Sequence, residues 1–137
     1  MQMTPIIAVH MTTAILAVLT GPIALWARKG RRQRPRLHRA FGYAWVTLML
    51  VAAISSIFIR DFALPNISGY TWIHLLVPVT LGTLLAAFRF LYLGNIKGHR
   101  KTMQGLYVGA CVIAGGFTLL PSRYLGQLLW GEWLGLL

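Results

Sequence analysis

The sequence contains very few acidic residues and few charged residues of either sign. Asp61 and Glu132 are the only carboxylate side chains in 137 residues, and charged residues make up 11% of the chain. A soluble domain usually carries about 25% charged residues, so this chain lacks the polar surface that would keep it in water. Two isolated carboxylates also nearly exclude a reaction that depends on paired acids. No motif assigns a catalytic activity, and whether the chain is an enzyme stays open.

Cysteine is almost absent as well. Cys111 is the single cysteine, which excludes a disulfide framework and a metal site built from cysteine alone. Apolar residues fill the sequence instead and account for 57% of it. We therefore expect much of this apolar surface to face lipid.

Four apolar segments are each long enough to cross a bilayer as a helix. The hydrocarbon core is about 30 Å thick, and a helix needs about 20 residues to span it. The segments cover residues 5–27, 40–59, 70–93 and 102–120. The remaining tail, residues 122–137, is too short for a fifth span, and its leucine and tryptophan residues recur at helical spacing. We predict an all-α integral membrane four-helix bundle, residues 1–137, with a short C-terminal interfacial helix.

Basic residues are concentrated in the first and third connections. Together with Arg89, these connections hold eleven of the thirteen Lys and Arg residues. Their members are Arg28, Lys29, Arg31, Arg32, Arg34, Arg36, Arg39, Lys97, Arg100 and Lys101. Because short basic loops of membrane proteins stay in the cytoplasm, this pattern places both termini on the opposite side. The net charge of +11 therefore reflects topology, and we expect contact with anionic lipids on the cytoplasmic side and no nucleic-acid partner.

The four histidines divide the chain into two similar halves. His10 and His74 lie early in the first and third predicted spans, whereas His38 and His99 each precede the next span and are followed by arginine. Each half therefore runs from histidine through an apolar span and a basic loop to His-Arg and a second span. Both halves cross the membrane in the same sense, which predicts two parallel two-span repeats. At 1.5 Å per residue the two histidine layers should lie roughly 25–30 Å apart.

His10 and His74 form the layer that is the better candidate for a functional site. An ionisable side chain within the membrane is costly and marks a functional position by default. Pro78 cannot donate a hydrogen bond to the carbonyl of His74, so we expect a kink in the third span and a new partner for this residue. The candidates are His10, a hydroxyl such as Ser55 or Ser56, water or a ligand. The alternative is that each imidazole is simply hydrogen bonded to its neighbours.

His38 and His99 form the second layer, at the level of the lipid headgroups. The adjacent Arg39 and Arg100 complete two His-Arg pairs that could bind an anionic headgroup, a propionate or a phosphate. The alternative is that these residues are anchors that set the topology. The predicted spans leave His38 in a loop, where water should reach it.

The order of these motifs resembles an uncharacterised bacterial family of predicted four-span membrane proteins, a domain of unknown function. The matching features are a histidine early in the first span, HRAFG at residues 38–42, HRKTM at residues 99–103 and the ending TLLPSRYLGQLLWG at residues 118–131. The resemblance extends over nearly the whole chain. It implies the membrane fold and a location in the bacterial inner membrane, where both termini would be periplasmic, and it implies no established activity.

Two functions fit these features. The first is an accessory or assembly subunit of a larger membrane complex, such as a respiratory one, in which the histidines are structural. The second is electron transfer linked to b-type haem or quinone, with all four histidines as ligands. Four-helix bundles often hold cofactors between facing helices, but this is an analogy of architecture alone. The sequence assigns neither cofactor nor metal, and a visible spectrum would separate the two functions.

Overall fold

Helices make up most of the chain. The computed structural model describes residues 3–31, 33–62 and 65–136, and 76% of it is helical. Within these residues no strand forms, and the β-type pairing is one isolated bridge between Ile67 and Tyr70. The predicted all-α class is confirmed. Arg32 of the first basic loop and Leu137 at the end of the predicted tail lie outside the described residues.

The first two helices both begin at a proline. Helix α1 spans Pro5–Trp26 and helix α2 spans Pro35–Ile57. Proline suits the first helical position because the N–H that it lacks has no helical partner there. Helix α2 thus begins five residues before the predicted span, and His38 lies in its first turn. The expectation of His38 in a loop is wrong, because this helix begins with a polar turn that is not part of the apolar run.

The third helix changes type just before Pro78. A 3₁₀ turn covers Trp72–Leu75, and helix α3 follows over Leu76–Tyr92. Pro78 therefore falls in the first turn of α3, where backbone N–H groups lack helical partners in any case. The span in which we expect a kink thus changes from 3₁₀ to α-helix just before the proline.

The fourth helical segment contains a wider turn in its middle. It is α-helical over Ile96–Leu106, π-helical over Tyr107–Ile113 and α-helical again over Ala114–Thr118, and we call these residues together α4. At roughly 1.5 Å per residue, α4 is about 34 Å long. The side chain of Asn95 caps its start by accepting a hydrogen bond from the Gly98 N–H at 2.8 Å.

Three helices have the length and composition of membrane spans. They are Pro5–Trp26, Pro35–Ile57 and Trp72–Tyr92, the last including the 3₁₀ turn. Helix α4, whose first turns are polar and basic, is not among them. Three apolar helices indicate a membrane protein, whereas the fourth span and the two-repeat bundle stay predictions.

A short helix folds back against the end of α4. Helix α5 covers Tyr124–Gln127 and continues as a π turn over Leu128–Trp133. The indole N–H of Trp130 donates a hydrogen bond to the carbonyl of Leu119 at 2.8 Å. This contact fixes the orientation of the tail relative to α4.

The two ends of the bundle differ in charge. We call the end that carries residues 27–31, 33–39 and 93–101 the basic end, and the end that carries residues 58–62 and 65–71 of the α2–α3 connection the loop end. At the loop end the carboxylate of Asp61 pairs with the Arg123 guanidinium at 2.7 Å, and its side chain is 10% exposed. This ion pair ties the α2–α3 connection to the start of α5.

Two helical hairpins pack together around a thin core. Helix α1 packs mainly against α2, and α3 packs mainly against α4. The core between them consists of Ala17, Trp45, Met49, Leu84, Leu106 and Cys111. Many large apolar side chains point outward, including Leu19 at 61% and Leu85 at 74% exposure. Such a continuous apolar surface marks a site of membrane contact or protein association.

Candidate functional site

The histidines at the basic end make equivalent hydrogen bonds. His38 is the fourth residue of α2, and its Nδ1 lies 2.8 Å from the carbonyl oxygen of Ala24 in α1. His99 is the fourth residue of α4, and its Nδ1 lies 2.9 Å from the carbonyl oxygen of Ala87 in α3. A carbonyl oxygen only accepts hydrogen bonds, so Nδ1 carries the proton in both rings. In the neutral imidazole the lone pair is then on Nε2 in both histidines.

His10 also bonds through Nδ1 to a carbonyl of the neighbouring helix, but its ring belongs to the first helix of the hairpin and the carbonyl to the second. Its Nδ1 lies 2.9 Å from the carbonyl oxygen of Ala52 in α2 and 3.2 Å from the Ser55 hydroxyl. The Ser55 hydroxyl donates to the same carbonyl at 3.0 Å. His10 thus joins the beginning of α1 to the last part of α2, while His38 joins the beginning of α2 to the end of α1. Together the two histidines fasten both ends of the first hairpin.

The two ring nitrogens of His74 have the opposite hydrogen-bonding roles from those of the other three histidines. The backbone N–H of Thr71 donates to its Nδ1 at 3.1 Å, so this nitrogen is unprotonated and the proton is on Nε2. Nε2 donates in turn to the carbonyl oxygen of Ile59 at 2.9 Å. Tyr70 packs edge-on against the ring, with the centroids 5.0 Å apart. Both ring nitrogens of His74 are therefore engaged in closing the α2–α3 connection.

The structure brings His10 and His74 to the same end of the molecule. Both bond to the last part of α2 or just beyond it. The partners of His74 are the Ile59 carbonyl and Thr71, whose hydroxyl lies 3.3 Å from Nδ1, whereas His10, Ser55 and Ser56 are not among them. The backbone carbonyl of His74, to which Pro78 has no N–H to donate, accepts a hydrogen bond from the N–H of Leu76. His74 is thus fully hydrogen bonded within the protein.

Three of the four imidazoles retain a nitrogen that could bind a metal or haem iron. In metal sites the ligating histidine commonly donates its other N–H to a carbonyl oxygen, which fixes the tautomer and the ring orientation. His10, His38 and His99 have this arrangement, with Nε2 as the available atom. His74 has no nitrogen left in this structure. Among the described residues no group of three or more His, Cys, Asp and Glu forms a metal-binding cluster.

Arg39 and Arg100 flank the histidines of the basic end. Both side chains are exposed, and each lies one residue after its histidine in the first turns of α2 and α4. Of the two carboxylate side chains, Asp61 pairs with Arg123 at the loop end, and among the described residues neither Arg39 nor Arg100 forms an ion pair. Nearby, the guanidinium of Arg34 lies 5.1 Å above the ring of Trp26. The basic end therefore presents unpaired positive charge to its surroundings.

One contact between the hairpins was missed by the sequence analysis. Pro22 lies inside α1 and cannot donate to the carbonyl of Val18, four residues before it. The Tyr107 hydroxyl of α4 donates to that carbonyl at 3.0 Å. The tyrosine ring reaches it because Gly21 has no side chain: a Cβ there would lie 2.5 Å from the ring. The signal in the sequence is Pro22 itself, because a proline within a helix leaves the carbonyl four residues earlier without its helical donor.

These features define a class of protein, a small helical membrane protein whose histidines join neighbouring helices and connections. The chain belongs to the family described as predicted membrane protein (DUF2306), which matches residues 7–121. The family resemblance seen in the histidine motifs is thereby confirmed. No curated protein and no solved structure matches the chain.

Proposed function

We propose that this chain is a four-span accessory or assembly subunit of a larger complex in the bacterial inner membrane. The observation that carries the proposal is the use of the imidazoles. All four bond to backbone groups of the same chain, and three of them join two different helices. An intramembrane histidine that is hydrogen bonded in this way stabilises the bundle and needs no ligand. The outward-facing apolar surface then supplies contacts with lipid and neighbouring subunits.

The two-repeat architecture is part of this proposal. Its support is the equivalence of His38 and His99, which occupy the same position of α2 and α4 and bond through the same atom. Their acceptors, Ala24 and Ala87, lie 14 and 12 residues earlier in the chain. The contact of Tyr107 with Val18 supports a fourth span, because it packs the middle of α4 against a membrane-spanning helix.

The topology follows from the basic end. With that end in the cytoplasm, both termini are periplasmic, and Arg39 and Arg100 contact anionic lipid headgroups. A reporter that is active only in the cytoplasm should be active when it is inserted at Arg31. A reporter that is active only in the periplasm should be active when it is fused after Leu137. A C-terminal reporter found in the cytoplasm would refute the fourth span.

The subunit role is tested by the size of the native assembly. Extracted from its own membrane in mild detergent, the tagged 15.3 kDa chain should migrate with other subunits in a complex well above the size of its own dimer. His38→Asn provides a matched variant, because the Asn amide nitrogen occupies the position of Nδ1 and can donate to the Ala24 carbonyl. The variant should retain the complex, whereas His38→Leu should weaken it. Migration as a monomer or dimer alone in native membranes would contradict the proposal.

Electron transfer through b-type haem or quinone is the second candidate, and one observation favours it. His38 and His99 lie at the same end of the molecule, and both direct Nδ1 to a carbonyl oxygen, the arrangement that leaves Nε2 for a ligand. His74 does not fit a second site, because both of its nitrogens are engaged. Bound haem would supply one-electron transfer, and the chain would supply its axial nitrogens.

A visible spectrum of the purified protein separates the two candidates. Haem gives a Soret band and an α-band on reduction, and His38→Asn should remove both because asparagine lacks the Nε2 ligand. A colourless protein from haem-replete cells contradicts the haem candidate. A spectrum that survives both His38→Asn and His99→Asn would show that these residues are not its ligands.

A further inference from the structure

A groove runs along the surface between α3 and α4. Its volume is about 390 Å³, and its lining includes Thr80 and Thr83 of α3 and Lys101, Gly105 and Gly109 of α4. This volume lies within the range of ligand pockets, about 300–1,000 Å³. The groove lies within the second hairpin, whereas the Gly21–Tyr107 contact joins the two hairpins, and the groove uses none of the four histidines.

The groove exists because two glycines leave α4 bare on one face. Gly105 and Gly109 are four residues apart, and a Cβ at either position would meet nothing within 4 Å. Small residues at this spacing let a neighbouring chain approach the helix backbone closely. On the α3 side, the hydroxyl of Thr83 donates to the Val79 carbonyl at 2.6 Å, so its polar group is already engaged. The middle of the groove is therefore shaped for an apolar chain.

The length of the groove matches one leaflet. From Lys101 to Ala110 the α4 side covers ten residues, and the nine rises between them, at about 1.5 Å each, amount to about 14 Å. Half of a hydrocarbon core of about 30 Å is about 15 Å. An acyl chain of a single lipid would thus fill the groove from the basic end to the middle of the bilayer.

The charge at the mouth of the groove selects the kind of lipid. Lys101 lines the groove at the basic end, beside the exposed Lys97 and Arg100. Of the two carboxylate side chains, Asp61 pairs with Arg123 at the loop end, and within the described part of the chain Lys101 forms no ion pair. A lysine side chain at this depth can extend its ammonium group to the headgroup level. A phosphate there would complete the pairing that the protein itself lacks.

We propose that the α3–α4 groove binds one acyl chain of an anionic phospholipid from the leaflet at the basic end, with the lipid phosphate held by Lys101. The site places a lipid against α4 where its π turn begins. The proposal does not depend on the identity of any partner complex, and it applies equally to an accessory subunit and to an electron-transfer protein.

The test is native mass spectrometry of the full chain titrated with phosphatidylglycerol or phosphatidylcholine in detergent. The wild type should retain one phosphatidylglycerol with higher apparent affinity than phosphatidylcholine, and excess inorganic phosphate should not displace it. Lys101→Gln should lower the affinity about fivefold, the loss expected for one basic group at an anionic headgroup. Lys97→Gln removes the same charge one turn away, outside the groove, and should have a clearly smaller effect.

Filling the groove provides the second test. Gly105→Leu places a side chain in the open space, and it should abolish retention of the single lipid without preventing folding. Gly82→Leu is the matched control, because Gly82 is exposed on α3, and the pairing of His99 with Ala87 places it at about the same depth as Gly105. Circular dichroism shows whether each variant is folded. If Gly105→Leu does not fold, the effect of Lys101→Gln on lipid affinity still tests the proposal.

Three results would overturn the proposal. Equal retention of both lipids would show that Lys101 does not select charge. Unchanged retention in Gly105→Leu would show that the lipid lies elsewhere. A dimer that dissociates in Gly105→Leu with no change in lipid retention would show that the groove is an interface between two copies of the chain.

Discussion

The two hairpins are alike at the basic end and different at the loop end. At the basic end, the fourth residue of each second helix is a histidine that bonds to an alanine carbonyl near the end of the first helix. At the loop end, His10 lies inside α1 and bonds across to α2, whereas His74 lies in a 3₁₀ turn and closes a connection. The same residue type at matching positions thus performs two different structural roles, with opposite tautomers.

The hairpins also differ in what covers their small residues. In α1, Ala17, Gly21 and Ala24 are buried, and the ring of Tyr107 occupies the space above Gly21. In α4, Gly105 and Gly109 face an open groove. Small residues therefore serve helix packing in the first hairpin, and in the second they leave room for another molecule.

The largest expected effect is at the covered glycine. Gly21→Leu should destabilise the protein by about 3 kcal/mol or more, because its side chain would overlap Tyr107 and approach Trp45. Gly105→Leu, the same change at the open glycine, should cost less than about 1 kcal/mol. Unfolding in detergent, followed by circular dichroism, measures both. Equal losses in the two variants would remove the distinction between the covered and open glycines.

The second prediction compares the two histidines at the loop end. His74→Ala removes two hydrogen bonds and an aromatic contact, and we expect a loss of about 2 kcal/mol. His10→Ala removes the bond to Ala52 and should cost about 1 kcal/mol, since the Ser55 hydroxyl still donates to that carbonyl. The exposed Leu75 serves as control, and Leu75→Ala should have a smaller effect than either. A larger loss for His10 than for His74 would reverse the assignment of the two roles.

The third prediction concerns the link between the hairpins through Pro22. Tyr107→Phe should cost about 1 kcal/mol, because the Val18 carbonyl then has no donor. In a Pro22→Ala background the restored N–H can bond to this carbonyl, so the same change should cost clearly less. Tyr92→Phe is the control, as Tyr92 is 91% exposed. Additive effects of the Pro22 and Tyr107 changes would show that the two residues do not share this carbonyl.

The smallest expected effect tests the similarity of the hairpins. His38→Ala and His99→Ala should each cost about 1 kcal/mol and should agree within about 0.5 kcal/mol. Asparagine at either position should recover part of the loss, because its amide can donate from the position of Nδ1. If one histidine tolerates alanine and the other does not, the repeat is one of sequence without a shared structural role.

Several features could be predicted from the sequence because they depend on local pattern. The apolar runs predicted helices, and proline at the first position explains where α1 and α2 begin. The apolar run that predicted the second span begins after the start of α2, because the first turn of this helix is polar and basic. The sequence does not show where the α-helix starts relative to Pro78, so the place of this proline in the first turn of α3 is known only from the structure.

The sequence by itself determined the all-α class, the membrane character and the concentration of charge at one end, since these follow from composition and from the spacing of apolar and basic residues. Only the tertiary structure decided which nitrogen of each histidine is engaged, because that depends on which backbone group a neighbouring helix or loop presents. It also decided that Tyr107 completes the hydrogen bonding of Val18, and that the glycines of α1 are covered whereas Gly105 and Gly109 are open. These properties arise from contacts between segments distant in the chain, and no local pattern encodes them.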